Sequence, residues 1–282
     1  MGGLEEGADL DSDVLGHYIE GAYERERLSG GMGRIEFART IEILRRYIPP
    51  APAKVLDVGG GAGVYASWLA QRGYDVDLVD PVPLHVEQAR EVAAAQTDHP
   101  FNARLGDARR LEAADGSFDV VLLLGPLYHL TEASHRACAL SEAIRVLRTD
   151  GVLAAAGISR FVSTIDGMRQ HFLRDPHFRR IVERDLADGQ HRNPTNHPGW
   201  FTTAYFHHPH ELRDEMYAAG FESEGVFGIE GPAWILPPDE LDRRWADPEA
   251  REELLQTARA LEQEPTVIGI GAHLLAIGRR PN

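Results

Sequence analysis

Four glycines in five residues, Gly59, Gly60, Gly61 and Gly63, follow the apolar run Val55-Leu56-Asp57-Val58 and lead into Val64-Tyr65. That pattern constrains the chain to a strand that turns sharply into a helix, with a backbone bare enough for a ligand to approach. The residues downstream keep the same rhythm. Strands are expected at 54–58, 75–79, 102–105, 118–123 and 151–157, alternating with helices at 63–72, 83–95 and 131–147 and with a turn and short helix at 107–112. Apolar runs of strand length separated by helical patterns require a parallel sheet with right-handed crossovers. The fold class is therefore α/β, a doubly wound, Rossmann-like sheet.

The flanks divide the chain further. Residues 1–50 read as an N-terminal helical cap, with helices over 13–28 and 34–47 ended by Pro49-Pro50. Residues 51–160 are the ligand-binding core. Beyond Arg160 the alternation breaks, and 161–210 reads as a helical lid whose loop ends in Trp200-Phe201. Residues 211–282 return to the core, with a helix at 209–219, a strand at 221–229, an insertion at 230–264 holding a helix at 247–263, and a last strand at 270–278. The sheet thus has seven strands, the final one distant in sequence from its predecessor, with helical lid insertions.

Charge narrows the partners. A formal net charge of −15 over 282 residues opposes a protein that coats nucleic acid, and Lys54 is the only lysine. No apolar run is long enough for a membrane span, and the acidic, glycine-rich start lacks the blocks of a signal peptide, so a cytoplasmic location is expected. The single cysteine, Cys138, excludes an internal disulfide and reads as a buried small side chain. The histidines lack compact ligand spacing, so no metal is expected.

Two cofactor classes compete for the glycine turn. A dinucleotide fingerprint would place glycine at the sixth position from Gly59, where Val64 stands, and has no need of an acid two residues before the first glycine. Asp57 supplies such an acid, suited to an ammonium, and a glycine backbone suits an uncharged ribose better than a pyrophosphate. Asp80, ending Val76-Asp77-Leu78-Val79-Asp80, lies where an acid accepts ribose hydroxyls, and Asp107 in Leu105-Gly106-Asp107-Ala108 lies where one meets an adenine amino group. These signals favour S-adenosylmethionine.

With these motifs in order, residues 54–160 resemble the class I S-adenosylmethionine-dependent methyltransferases of small molecules, in particular those with a type 11 methyltransferase domain. The resemblance implies a seven-stranded sheet with its last strand antiparallel. It implies that Asp57, Gly59, Gly61 and Gly63 line the methionine and ribose part of the cofactor, Asp80 the ribose hydroxyls, Asp107 and Ala108 the adenine, and the Leu124 or Gly125 backbone the methionine amino group. It also implies an N-terminal helix closing over the cofactor carboxylate, with Tyr18, Tyr23 and Arg27 as candidates.

The acceptor side is read from Gly125-Pro126-Leu127-Tyr128-His129-Leu130, directly after the fourth strand. His129 there is the candidate general base, although holding a nucleophile in line supplies much of the acceleration without one. Tyr23, His171, Trp200, Tyr205, His207 and Trp234 are candidate substrate contacts, because aromatics in loops beside a cofactor rim commonly wall an acceptor pocket. Glu230 could bond an amine or hydroxyl substrate. The slightly basic run 160–192 fits either an anionic acceptor or solvated helix faces. The expected function is methyl transfer to an O, N or C nucleophile of a small molecule in specialised metabolism, by a monomer or homodimer. A cyclase or lyase on the same fold, or a macromolecular methyltransferase, are the alternatives, and no Asn-Pro-Pro-Tyr type motif supports the latter.

Overall fold

The computed structural model describes residues 27–96 and 98–282. The expected helix at 13–28 and the candidates Tyr18 and Tyr23 lie outside the described residues, apart from the end of that helix.

Strands β1 (Lys54–Val58), β2 (Asp75–Asp80), β3 (Asn102–Leu105), β4 (Phe118–Leu123) and β5 (Leu147–Ser159) pair in parallel in the order β3-β2-β1-β4-β5. Strand β9 (His273–Arg279) then runs antiparallel to β5, and β8 (Glu222–Gly228) runs antiparallel to β9. This is the doubly wound sheet with a reversed last strand. Its strands are apolar on both faces because each face is covered. Val55, Val120, Leu122, Val152 and Ala154 point to one core, under helices α1 (Gly33–Tyr47), α2 (Val64–Ala70) and α3 (Pro83–Ala95). Leu56, Val121, Leu123, Leu153 and Ala155 point to the other, under α5 (Ala133–Val146) and α8 (Pro209–Ala218). The period of two along each strand divides its side chains between these cores.

Several expectations are corrected. The run 107–112 forms no helix: Asp107 and Arg110 close a small bridged turn instead. The helix expected at 131–147 is α5, and a single turn α4 (Pro126–His129) that was not expected precedes it, because Pro126 can start a helix while Leu130 and Glu132 leave helical geometry. Cys138 is exposed, on the outer side of α5. The insertion after β8 holds two helices, α9 (Pro238–Ala246) and α10 (Pro248–Leu261), separated by Asp247 capping the second.

The segment after β5 is not only helical. Helices α6 (Val162–Arg169) and α7 (Pro176–Asp188) are followed by β6 (Gln190–His191) and β7 (Ala204–His207), which pair antiparallel. Strand β7 also pairs with the end of β5, Ile158 with Phe206 and Ser159 with His207. Ile158 pairs with His273 of β9 as well, so β7 lies on the opposite side, continuing the line of β4 past its last partner at Ala155. Two short strands therefore extend the seven to nine. A buried chain fixes the helices to this pair. Ser163 Oγ donates to Asp185 Oδ2 at 2.6 Å, His191 Nδ1 lies 2.8 Å from the same oxygen, and His191 Nε2 lies 3.1 Å from the Phe201 carbonyl.

Helix α1 is clamped across the sheet's end by ion pairs to α10 and the turn after it. Arg39, 1 % exposed, pairs with Glu42 and Glu262. Arg46 donates to Glu262 Oε1 at 2.6 Å, and Arg259 donates to Glu42 Oε1 at 2.7 Å. Losing Glu262 leaves buried Arg39 with Glu42 alone, so Glu262→Ala is expected to lower stability by about 2 kcal/mol, read as a fall in the urea midpoint with unchanged m-value.

Candidate functional site

In an open α/β sheet ligands sit where successive crossovers leave in opposite directions. Here β1 is followed by β2 on one side while β4 flanks it on the other, so that place is the carboxyl edge between β1 and β4. The loops leaving these two strands touch. A Cβ on Gly59, whose φ is 69°, would lie 2.7 Å from Pro126 Cγ, and one on Gly125 would lie 3.3 Å from the Gly59 carbonyl oxygen. Only glycine lets both loops close on one another while leaving backbone facing the cleft. The cleft encloses about 1010 Å³, counting the part open to solvent.

Asp57 lies at the base of this cleft, 1 % exposed, and neither carboxylate oxygen has a hydrogen-bond partner among the described residues. Burial, with the nearby Asp80 carboxylate adding to it, pushes its pKa up to about 7; the Ala66 amide opposes the rise only weakly. A buried acid in this state is satisfied by a cationic donor brought to it. Gly60, the residue that sequence reasoning passed over, makes room for it: a Cβ there would strike Asp57 Oδ2 at 2.8 Å and Leu78 Cδ1 at 2.7 Å.

Asp80 is held firmly. Its Oδ2 accepts from the Gly61 N–H at 2.9 Å, its Oδ1 from the Val82 N–H at 2.9 Å, and His85 Nδ1 lies 3.1 Å from Oδ1. His85 lines the cleft too, and its only sequence signal was its place in the first turn of α3, five residues after Asp80. Further along the rim, burial raises the Asp107 carboxyl, but the Arg109 guanidinium and amide outweigh it and hold the group below the usual range. Arg109 stands where no sequence motif marked it.

At the other wall stand Arg27, Tyr65 and Tyr128. Arg27 Nη1 donates to Glu36 Oε2 at 2.6 Å, and Tyr128 donates to the Leu124 carbonyl at 3.0 Å. His129 faces the same cleft, its ring edge-on to Tyr128 at 4.8 Å.

The structure thus brings Arg27, Asp57, Gly59, Gly61, Asp80, Asp107, Ala108, Leu124, Gly125 and His129 to one cleft. Gly63 is not on its surface. It is the N-cap residue of α2 in the left-handed region, with φ 85°, and Phe101 would lie 2.8 Å from any Cβ there. The lid candidates do not reach the cleft either. His171 is exposed at a turn, and Trp200 packs against Phe178 at 5.0 Å in a lid core of its own. His207 is buried with its Nε2 3.3 Å from Glu215, and the Arg136 guanidinium lies 3.7 Å over the Tyr205 ring. Trp234 stands one layer behind Tyr128, packed with Phe206 and Ile158 beneath Arg169. Glu230, expected near the substrate, is fully buried and bonded to His273. Within the basic run, Arg169 pairs with Asp166, Arg184 with Asp188 and Arg160 with Glu211, while Arg179 and Arg192 donate to backbone carbonyls.

The unpartnered acid, the side-chain-free turn above it and the fixed second acid fit a ligand with an ammonium and a ribose. Comparison with known proteins agrees. Residues 55–151 match the family model described as a methyltransferase domain. An uncharacterized methyltransferase of Mycobacterium bovis is 35 % identical over 47 % of this chain and 47 % of its own length. The ubiquinone biosynthesis O-methyltransferase of Azorhizobium caulinodans is 30 % identical over 62 % of this chain and 61 % of its own length. The chain thus spans about half to three fifths of these curated relatives. In fold, the crystal structure of a putative S-adenosylmethionine-dependent methyltransferase from Listeria monocytogenes superposes with a TM-score of 0.59 at 18 % identity, over 88 % of this chain and 99 % of that one. Residues 55–151 therefore carry a methyltransferase domain on the fold shared with S-adenosylmethionine-dependent methyltransferases, and S-adenosylmethionine is the cofactor that this domain and fold imply.

Proposed function

We propose that this protein transfers a methyl group to an oxygen, nitrogen or carbon nucleophile of a small molecule, in specialised metabolism in the cytoplasm, acting as a monomer or homodimer. The observation that carries the reading is Asp57, a buried carboxylate without a partner beneath a turn stripped of side chains. S-adenosylmethionine supplies a methyl on a sulfonium that leaves as a neutral thioether on in-line attack. The chain's own residues do the rest. Asp57 meets the ammonium, Asp80 offers its remaining lone pairs to the ribose, and Asp107 and Ala108 border the base. Arg27 offers a cation to the carboxylate. His129 takes the acceptor's proton where one must leave. A small acceptor is supported by the acidic net charge and by relatives named for quinone biosynthesis. Among the described residues no helix is long and apolar enough to cross a membrane.

Titration calorimetry with S-adenosylhomocysteine is expected to show binding, with none for NADH. Asp57→Asn is expected to weaken it 10- to 100-fold, as befits the loss of one charge-assisted hydrogen bond. An unchanged affinity would sink the assignment. Formation of S-adenosylhomocysteine during turnover separates methyl transfer from cyclase or lyase chemistry.

The same group sets a pH dependence. With its pKa at about 7 in the free protein, Asp57 must lose a proton to meet an ammonium below that pH. Affinity for S-adenosylhomocysteine is therefore expected to rise between pH 5.5 and 7 and to level above, and Asp57→Asn is expected to remove the rise.

Stability moves the opposite way. Because the folded pKa lies above the unfolded value near 3.9, the contribution of Asp57 to the free protein's stability falls as pH rises from about 4 to 7. At pH 8 the ligand-free Asp57→Asn variant is expected to be more stable than the wild type by roughly 2–4 kcal/mol in urea melts.

His129→Asn is expected to lower kcat about 100-fold while leaving S-adenosylhomocysteine affinity in place. A change confined to affinity would remove His129 from the proton transfer.

A further inference from the structure

Behind the Arg27 wall of the cleft lies a cluster of charges drawn from four parts of the chain. Arg27 precedes α1, Glu36 is in its first turn, Glu230 follows β8, and His273 opens β9. Of the four only Arg27 lines the cleft. One oxygen, Glu36 Oε2, lies 2.6 Å from Arg27 Nη1 and 3.7 Å from His273 Nδ1. His273 is gripped in turn by Glu230, whose Oε1 lies 2.5 Å from Nδ1 and whose Oε2 accepts the His273 backbone N–H at 3.0 Å. Gly271 leaves the room that Glu230 occupies, since a Cβ there would lie 2.9 Å from its Oε2.

These distances make a relay with alternating sign, anion, cation, anion, cation, running from a fixed carboxylate to the cleft. We infer that Glu230 and His273 are positioning residues, which hold the Glu36 carboxylate and through it the Arg27 guanidinium against the carboxylate of the cofactor. This rests on the methyltransferase reading, since it takes that cofactor as what Arg27 meets. The groups facing His273 are Glu36 on α1, Glu230 after β8 and Arg27 before α1. Burial alone would lower the His273 pKa; the two carboxylates outweigh it and raise the group to about 9. At neutral pH the imidazole is therefore a cation and the cluster is balanced. Above that value two carboxylates share one guanidinium, and Arg27 is drawn inward, away from the cleft.

Glu36, Glu230 and His273 also bring three ligand atoms within 4.8 Å of one another, a spacing that a divalent ion could bridge. A metal there would have to displace the His273 proton and compete with Arg27 for Glu36, so the ion pairs already fill the role.

The test is calorimetric binding of S-adenosylhomocysteine to the full chain, as wild type, Arg27→Ala, His273→Asn and the double variant, at pH 7 and again at pH 10. Positioning predicts that each single change weakens binding about tenfold at pH 7 and that the double variant is no weaker than Arg27→Ala. It also predicts that wild-type affinity falls between pH 8 and 10 by several-fold more than that of Arg27→Ala, whose residual slope belongs to other groups, the ligand's amine included. That comparison needs no change at His273 and so survives a His273→Asn variant that fails to fold. Additive losses in the double variant, or equal pH slopes in wild type and Arg27→Ala, would overturn the relay and leave the cofactor assignment standing. Absence of any binding by the wild type would overturn both.

Discussion

A buried carboxyl whose oxygens have no side-chain partner among the described residues is among the most expensive groups a fold can contain, and Asp57 is one. Its place is dictated by the sheet: the residue ends up at the carboxyl edge of the central strand, beneath the turn made by Gly59, Gly60 and Gly61. Everything around it is arranged to keep it there. Gly60 clears the space, Leu78 closes the floor, and the β4 loop presses in through Pro126 and Gly125. On the proposed function that cost is met by the ligand's ammonium, so that the free protein would hold in reserve part of the energy that binding releases.

The other face of the site is made rigid by charge pairs rather than by apolar packing alone. Helix α1 packs Phe37 against Tyr65 of α2 at 5.4 Å, so the cap touches the helix that the glycine turn begins. Its outer side is bound to α10 and Glu262 through Arg39, Arg46 and Arg259, and its first turn to β9 through Glu36 and His273. The C-terminal strand and the C-terminal insertion thus hold α1 without lining the cleft themselves. Buried pairs of this kind add little net stability compared with apolar packing, but they fix geometry, and geometry is what an in-line transfer requires.

The central sheet was legible because its strands carry short apolar runs bounded by helical periods, and the glycine turn and the acids at 57, 80 and 107 were legible because each ends such a run. The lid was misread for a physical reason. Trp200 and Trp234 sit in segments that look like loops, yet Trp200 buries against Phe178, Ile181 and Val182 of α7 and Trp234 against Ala204 and Phe206 of β7, while His207 is itself the end of β7. Two-residue pairing leaves almost no period to detect. His129 was legible because it follows β4, whereas Tyr128, His85 and Arg109 line the cleft beside neighbours that only the folded chain supplies. Glu230 reads as a rim residue along the chain; its partner His273 is more than forty residues away and meets it only across the β8–β9 pair.

Strand β7 carries a consequence of its own. By occupying the side of β5 that β4 vacates, it splices the post-β5 segment into the same hydrogen-bonded ladder that presents the cofactor. The ends of that segment are therefore set by the sheet, while residues 194–199, between β6 and β7, are exposed and lie outside every helix and strand. Such a hairpin tip can be lengthened, shortened or rewritten without disturbing the register at either stem. Sequence can change there while the cofactor cleft stays as it is.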